Sequence, residues 1–172
     1  MRKVIILAIV LLLSACSEQD ELVTSDAFTI SHDAFAAYKA NVQRVYASKQ
    51  QTFDVTDRAL LDEMIARETM LWLAKERGIT PTQQQIEAYA QQTKAAFLKS
   101  ATPEMHDLHQ QLAADLGVSE AAYFTHPRVM AQYRELLTIE QLIQTLQDEG
   151  ELTDQTLAHY VEAHKPALTI HQ

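Results

Sequence analysis

Three glycines, Gly78, Gly117 and Gly150, are all that this chain of 172 residues contains. Each follows a stretch with helical periodicity, where a left-handed C′ residue ends a helix. Pro81, Pro103 and Pro127 stand near the openings of helical patterns, and Pro166 follows the last one. These are positions at which a missing N–H is tolerated. Glycine and proline serve as punctuation here, and what lies between them reads as helix.

The helix starts repeat one device. Ile30-Ser31, Val55-Thr56, Val118-Ser119 and Leu152-Thr153 each place an apolar residue before a capping hydroxyl, with Phe35, Leu60, Tyr123 and Leu157 four residues past the cap. That is the spacing of a hydrophobic staple beside an N-cap, the cap alone contributing about 1 kcal/mol. Thr82 with Gln85 completes a capping box. The predicted helices run over Ser31–Lys49, Thr56–Arg77, Thr82–Ser100, Pro103–Leu116, Ser119–Gln147 and Thr153–Lys165, the fifth bending or breaking at Pro127. The fold class is therefore all-α, a multi-helix domain of about six helices. Val23 to Ile30 allows a short extended piece, but it has no glycine, so no hairpin is expected there.

Apolar stripes indicate how the helices pack. Phe35, Tyr38, Val42 and Val45 mark one face, as do Leu136, Ile139, Ile143 and Leu146, and Ile86, Tyr89, Ala90, Thr93 and Phe97. Their expected place is the core. Met70-Leu71-Trp72-Leu73-Ala74 is apolar on every side, so that part of the second helix should be surrounded by others.

The amino terminus is of a different kind. Arg2 and Lys3 precede ten apolar residues, Val4 to Leu13, followed by small Ser14 and Ala15 and then Cys16, the only cysteine. A membrane-spanning helix needs about 20 apolar residues, so the run suits a secretory signal rather than a permanent span. Leu13-Ser14-Ala15-Cys16 resembles the lipobox of bacterial lipoproteins. The resemblance implies a signal peptide over 1–15, cleavage before Cys16, and a thioether-linked diacylglycerol on its sulfur, usually with an added palmitate-type N-acyl chain. Two or more such chains hold a protein stably on a membrane. The mature chain would then have no thiol and no disulfide. Residues 16–26 read as a flexible acidic tether and 27–172 as the helical domain. Ser17 resembles the residue that sends a lipoprotein to the periplasmic side of the outer membrane in a cell with two membranes. In a cell with one, the protein would sit on its outer face.

The formal charge is −9, and loss of Arg2 and Lys3 with the leader makes it −11. So acidic a chain is a poor nucleic-acid binder. There is no Walker-type glycine loop and no Gly-x-Ser-x-Gly nucleophile elbow. No catalytic residue, enzyme activity or cofactor is expected.

Within the helical region, Leu61-Asp62-Glu63-Met64-Ile65, Ala74, Gly78-Ile79-Thr80-Pro81-Thr82, Gln85 and Ile86 resemble the signature of the SurA N-terminal domain, found in the SurA and PrsA groups of extracytoplasmic chaperones. Leu116-Gly117-Val118-Ser119, Leu136 to Ile143, and Leu152 to Lys165 are similar to its later helices. The resemblance covers about Thr29 to Lys165. It implies an envelope protein that holds unfolded or partly folded secreted polypeptides without ATP. A parvulin-type isomerase domain often follows in that family. Seven residues, Pro166 to Gln172, follow the last predicted helix, so no isomerase activity is expected.

A holding surface needs adaptable apolar side chains, and methionine repacks easily. Met64, Met70, Met105 and Met130, with Phe97, Tyr123 and Phe124, are the candidate client-binding residues. Helix-swapped or wrapped homodimers are compatible with helices this long. Two alternatives have other bases. One is an adaptor lipoprotein holding a single envelope partner. The other is a metal-binding lipoprotein using His106 and His109, which stand at i and i+3 on one helix. Two ligands fall short of the three or four that a zinc site uses, so no metal site is assigned.

Overall fold

The computed structural model describes residues 20–152 and 156–171. The leader, Cys16 and Thr153 lie outside the described residues. Among the described residues, seven helices make up most of the structure, a helical fold as the glycine and cap pattern predicts: α1 (His32–Ser48), α2 (Asp57–Glu76), α3 (Gln83–Ser100), α4 (Pro103–Asp115), α5 (Glu120–Tyr123), α6 (Pro127–Asp148) and α7 (Leu157–His164). Three short strands, β1 (Glu21–Thr24), β2 (Thr29–Ser31) and β3 (Thr169–Ile170), form one antiparallel sheet in the order β2-β1-β3.

Four of the predicted hydroxyl caps are seen at work, and Thr102 is a fifth, not among those predicted. Ser31, Thr56, Thr82, Thr102 and Ser119 each accept a hydrogen bond from the backbone N–H three residues on, and Thr82 with Gln85 forms the full capping box. The expected helix over Ser119–Gln147 is broken ahead of Pro127, where His126 becomes the N-cap of α6. The last helix starts later than predicted. Thr156 is its N-cap and Leu157 its first residue, so Leu157 is not the fourth-position partner in a staple.

Four helices end in the same way. After α2, Gly78 N–H bonds to the Lys75 carbonyl and Ile79 N–H to that of Ala74. The pairs Gly117/Val118 and Gly150/Glu151 repeat this after α4 and α6, and Gln50/Gln51 after α1. This Schellman pattern needs positive φ at C′. The three glycines supply 69°, 67° and 75°, and Gln50 reaches 54° without being glycine.

The expected absence of a hairpin is overturned. β1 and β2 pair, with Val23 opposite Ile30 and Thr24 opposite Thr29. The Ser25 side chain builds the turn that a glycine pair often builds. Its Oγ accepts from the N–H groups of Ala27 and Phe28 and donates to the Phe28 carbonyl, while Ser25 N–H also reaches that carbonyl. A serine side chain can close a turn on neighbouring backbone groups in this way. The described part of the predicted tether is consequently not all tether. Glu21–Thr24 is the central strand, and Val23 is fully buried.

The core is divided. Val23 and Ile30 pack on Leu61, Met64 and Ile65 of α2. Leu73 and Ala74, further along α2, pack with Leu142 and Leu146 of α6 and Tyr160 of α7. Ile86 and Ala90 of α3 pack with Val129 and Tyr133 of α6. Helix α2 is thus the spine, covered at one end by the sheet and at the other by α6 and α7. Its all-apolar segment is surrounded only in part: Leu73 and Ala74 are buried against α6 and α7, while Met70, Leu71 and Trp72 stay half-buried. Helix α6 turns one face to α3 in its first half and another to α2 in its second. For that reason the predicted stripe of Leu136, Ile139, Ile143 and Leu146 is not uniformly buried: Leu146 is fully covered, while Leu136 is 48 % exposed.

Candidate functional site

Helix α1 carries a regular apolar stripe yet has no buried residue. Phe35, Tyr38 and Val42 are half-buried, and Val45 is 39 % exposed. The expectation that this stripe is core holds only in part: Phe35 and Tyr38 pack against the cluster of Val23, Ile30, Leu61, Met64 and Ile65, while Val45 at the other end stays exposed. Two clefts open along one of its faces, one towards each end.

Towards its C-terminal end, the last turn of α1 and the start of α4 enclose a cleft of about 640 Å³. Val45, Met105 and Leu108 supply its apolar lining, and Met105 is 48 % exposed. Towards its N-terminal end lies a cleft of about 570 Å³, walled by Ala34, Ala37 and Tyr38 of α1, Met64, Arg67 and Glu68 of α2, and Glu135 and Leu136 of α6. Each wall follows helical spacing, so the three faces converge on one space.

That second cleft is charged. Arg67 Nη1 donates to Glu68 Oε1 at 3.1 Å, and its Nη2 donates to Glu135. Burial raises the Glu68 carboxyl above its ordinary range, with Arg67 working against the rise. At the mouth, the Tyr38 hydroxyl donates to Glu63 Oε2 at 2.8 Å. Burial, with the Glu63 bond second, pushes Tyr38 up to about 12.

The candidate client-binding residues are spread over the molecule. Met105 lies on the α1/α4 cleft. Met64 is 6 % exposed and belongs to the core beneath the second cleft. Met70 faces a groove of about 510 Å³ between α2 and α7, whose rims carry the ion pairs Arg58–Asp62 and Lys165–Glu162. Met130 and Phe124 line a groove of about 600 Å³ between α3 and α6. Phe124 is itself 5 % exposed, so it is chiefly core.

Phe97, Tyr123 and Phe124 meet around His109, with ring centroids 4.6 to 4.9 Å from the imidazole. His106 also lies against Phe97, at 4.8 Å. The two histidines therefore face aromatic rings. Among the described residues, no three histidine, cysteine or acidic side chains converge as a metal site. Sequence reasoning did not single out Val45, Tyr38 or Leu136 for binding, because periodicity shows a stripe without showing whether a neighbour covers it.

No family model, curated protein or solved structure matches the chain. Among the described residues, no helix is long and apolar enough to cross a membrane.

Proposed function

We propose that this chain is a membrane-tethered holding protein of the cell envelope. It binds apolar segments of unfolded or partly folded polypeptides and releases them without ATP. The observation that carries the proposal is the half-covered stripe of α1, a seventeen-residue helix with no fully buried side chain and a cleft at each end of one face. Covering apolar surface yields roughly 25 cal/mol per Å², so a client segment laid along Val45 and Met105 gains modestly and can leave again. The divided core favours the same function, since separate clusters let the helices shift without unfolding one continuous interior. The lipobox-like segment at Cys16 supplies the tether, and the resemblance to the SurA N-terminal domain agrees with the activity.

The test is aggregation of chemically denatured clients diluted into buffer with the mature chain at equimolar amounts and no nucleotide. Light scattering should fall by at least about half for several unrelated clients. Val45→Ser with Met105→Ser should weaken the effect, since both side chains lie on the surface offered to clients. No protection of any client would remove the proposal. A single stable partner recovered from envelope extracts, with no general protection, would point instead to a dedicated adaptor.

A further inference from the structure

The cleft between α1, α2 and α6 differs from the groove between α2 and α7 in one respect. The α2/α7 groove is electrically balanced, each cation on its rim paired with a carboxylate of its own, Arg58 with Asp62 and Lys165 with Glu162. In the α1/α2/α6 cleft, a single guanidinium, Arg67, serves two carboxylates, Glu68 and Glu135. One negative charge is left in excess, and Glu63 at the mouth adds another carboxylate, bonded only to a neutral hydroxyl among the partners it shows. Glu68 is held where water is partly excluded, its side chain 27 % exposed, so the field of this excess charge is screened less than that of a surface residue.

The same cleft offers apolar surface beside the charge. Leu136 is 48 % exposed on the α6 wall. Ala34 and Ala37 keep the α1 wall low, and the Tyr38 ring stands next to them. An apolar groove with uncompensated carboxylates fits an occupant of mixed chemistry. The geometry points to a client segment in which a lysine or arginine lies between apolar residues, its cation meeting Glu68 and Glu135 and its neighbours covering Leu136 and Tyr38. The inference rests on the holding function proposed above and names its preferred substrate. Opposite charges steer encounter and disfavour wrong partners, so an acidic segment of equal apolar content is rejected here while the α2/α7 groove is indifferent.

The experiment uses the full mature chain and two fluorescent peptides of equal length and apolar content, one carrying two lysines and the other two glutamates at the same places. At low salt the lysine peptide should bind about ten-fold tighter by anisotropy, and the gap should shrink at about 0.5 M salt, where charges are screened beyond a few ångströms. Glu68→Gln with Glu135→Gln should bring the two affinities within about two-fold, as should Leu136→Arg, which adds a cation on an exposed rim position. Glu162→Gln, in the other groove, should leave the gap in place. Equal affinities in the unaltered protein, or a gap that survives both the double variant and Leu136→Arg, would overturn the inference. Aggregation protection without any lysine preference would overturn the inference alone, leaving the holding function intact. Loss of both would remove the two together.

Discussion

Arg77 Nη2 lies 2.9 Å from both carboxylate oxygens of Glu151, and 3.0 Å from the Tyr160 hydroxyl, which itself donates to Glu151 Oε2 at 2.7 Å. Arg77 Nη1 takes Glu149 at 2.6 Å. One guanidinium thus ties the end of α2 to the segment after α6 and, through Tyr160, to α7. The Tyr160 hydroxyl, then Arg77, hold the Glu151 carboxyl below its ordinary range. A carboxyl depressed in the folded state stabilises above its unfolded pKa, about 4.3, and that contribution is lost as pH falls through the folded value. Tyr160→Phe removes the hydroxyl from the triad and should lower stability at pH 7, since a hydrogen bond to a charged group is lost. The difference between the two proteins in urea should narrow as pH drops through the carboxylate range. Trp72, the only tryptophan, packs in the same cluster as Tyr160 and reports the transition. A difference that stays constant down to pH 3 would show that Glu151 is not part of the coupling.

At the alkaline end, tyrosines raised by burial set the dependence: Tyr89, Tyr123 and Tyr160, and furthest Tyr38 and Tyr133. Tyr38 is pushed up to about 12 chiefly by burial, and Tyr133 to about 12 by burial with the neighbouring Tyr123 and Tyr89 adding to it. Raised folded-state values mean that each hydroxyl stabilises fully below the unfolded value near 10, and that this contribution disappears as pH rises from there through 12. Absorbance at 295 nm should show both still protonated at pH 11 in the folded chain. Tyr38→Phe should make the loss of stability between pH 10 and 12 shallower by up to one proton. An unchanged slope would mean that Tyr38 ionises like an exposed tyrosine.

Gln50 is the one C′ residue of the four Schellman ends that is not glycine, with φ at 54°. Left-handed backbone costs a residue with a Cβ about 1–2 kcal/mol. Glycine escapes that penalty but loses more freedom on folding. Gln50→Gly should therefore stabilise the chain by about 0.5–1 kcal/mol, read as a higher denaturation midpoint with unchanged m-value. A loss of stability would show that the Gln50 side chain, which borders the α1/α4 cleft, contributes more there than its backbone costs.

Gln50 also marks where the sequence stopped being legible. The helix ends at Gly78, Gly117 and Gly150 were readable because a glycine after a periodic stretch has a physical reason to be there. The end of α1 was located only by the fading of its stripe, since nothing in glutamine announces positive φ. The hairpin escaped for a related cause: its turn is closed by a serine side chain, a residue equally at home as a helix cap, as Ser31 and Ser119 show. Strand β3, two residues long, is made by its partner β1 and has no periodicity of its own. For the candidate site, methionine's flexibility points to Met105 no more than to Met64, Met70 and Met130, and the sequence does not distinguish exposed Met105 from buried Met64. Leu136 was read as core because its stripe is regular, and only the turning of α6 between α3 and α2 leaves it uncovered.

His109 is 6 % exposed, and neither ring nitrogen has a hydrogen-bond partner. The nearest charged group, Glu120 Oε2, stands 3.6 Å from Nδ1, too far for a hydrogen bond. The ring is instead packed among Phe97, Tyr123 and Phe124. Leaving a buried polar group unmatched costs about 1–3 kcal/mol, whereas an apolar group of similar shape carries no such cost. His109→Phe should therefore raise stability by about 1 kcal/mol, the gain being held down by the larger ring in a packed site. It should also leave circular dichroism unchanged and keep the Phe97 side of the cluster closed to solvent. Glu120→Gln should be nearly neutral. If instead His109→Phe and Glu120→Gln each lower stability by a similar amount, and the double variant loses no more than either alone, the imidazole and the carboxylate are bonded in solution and the packing account is wrong.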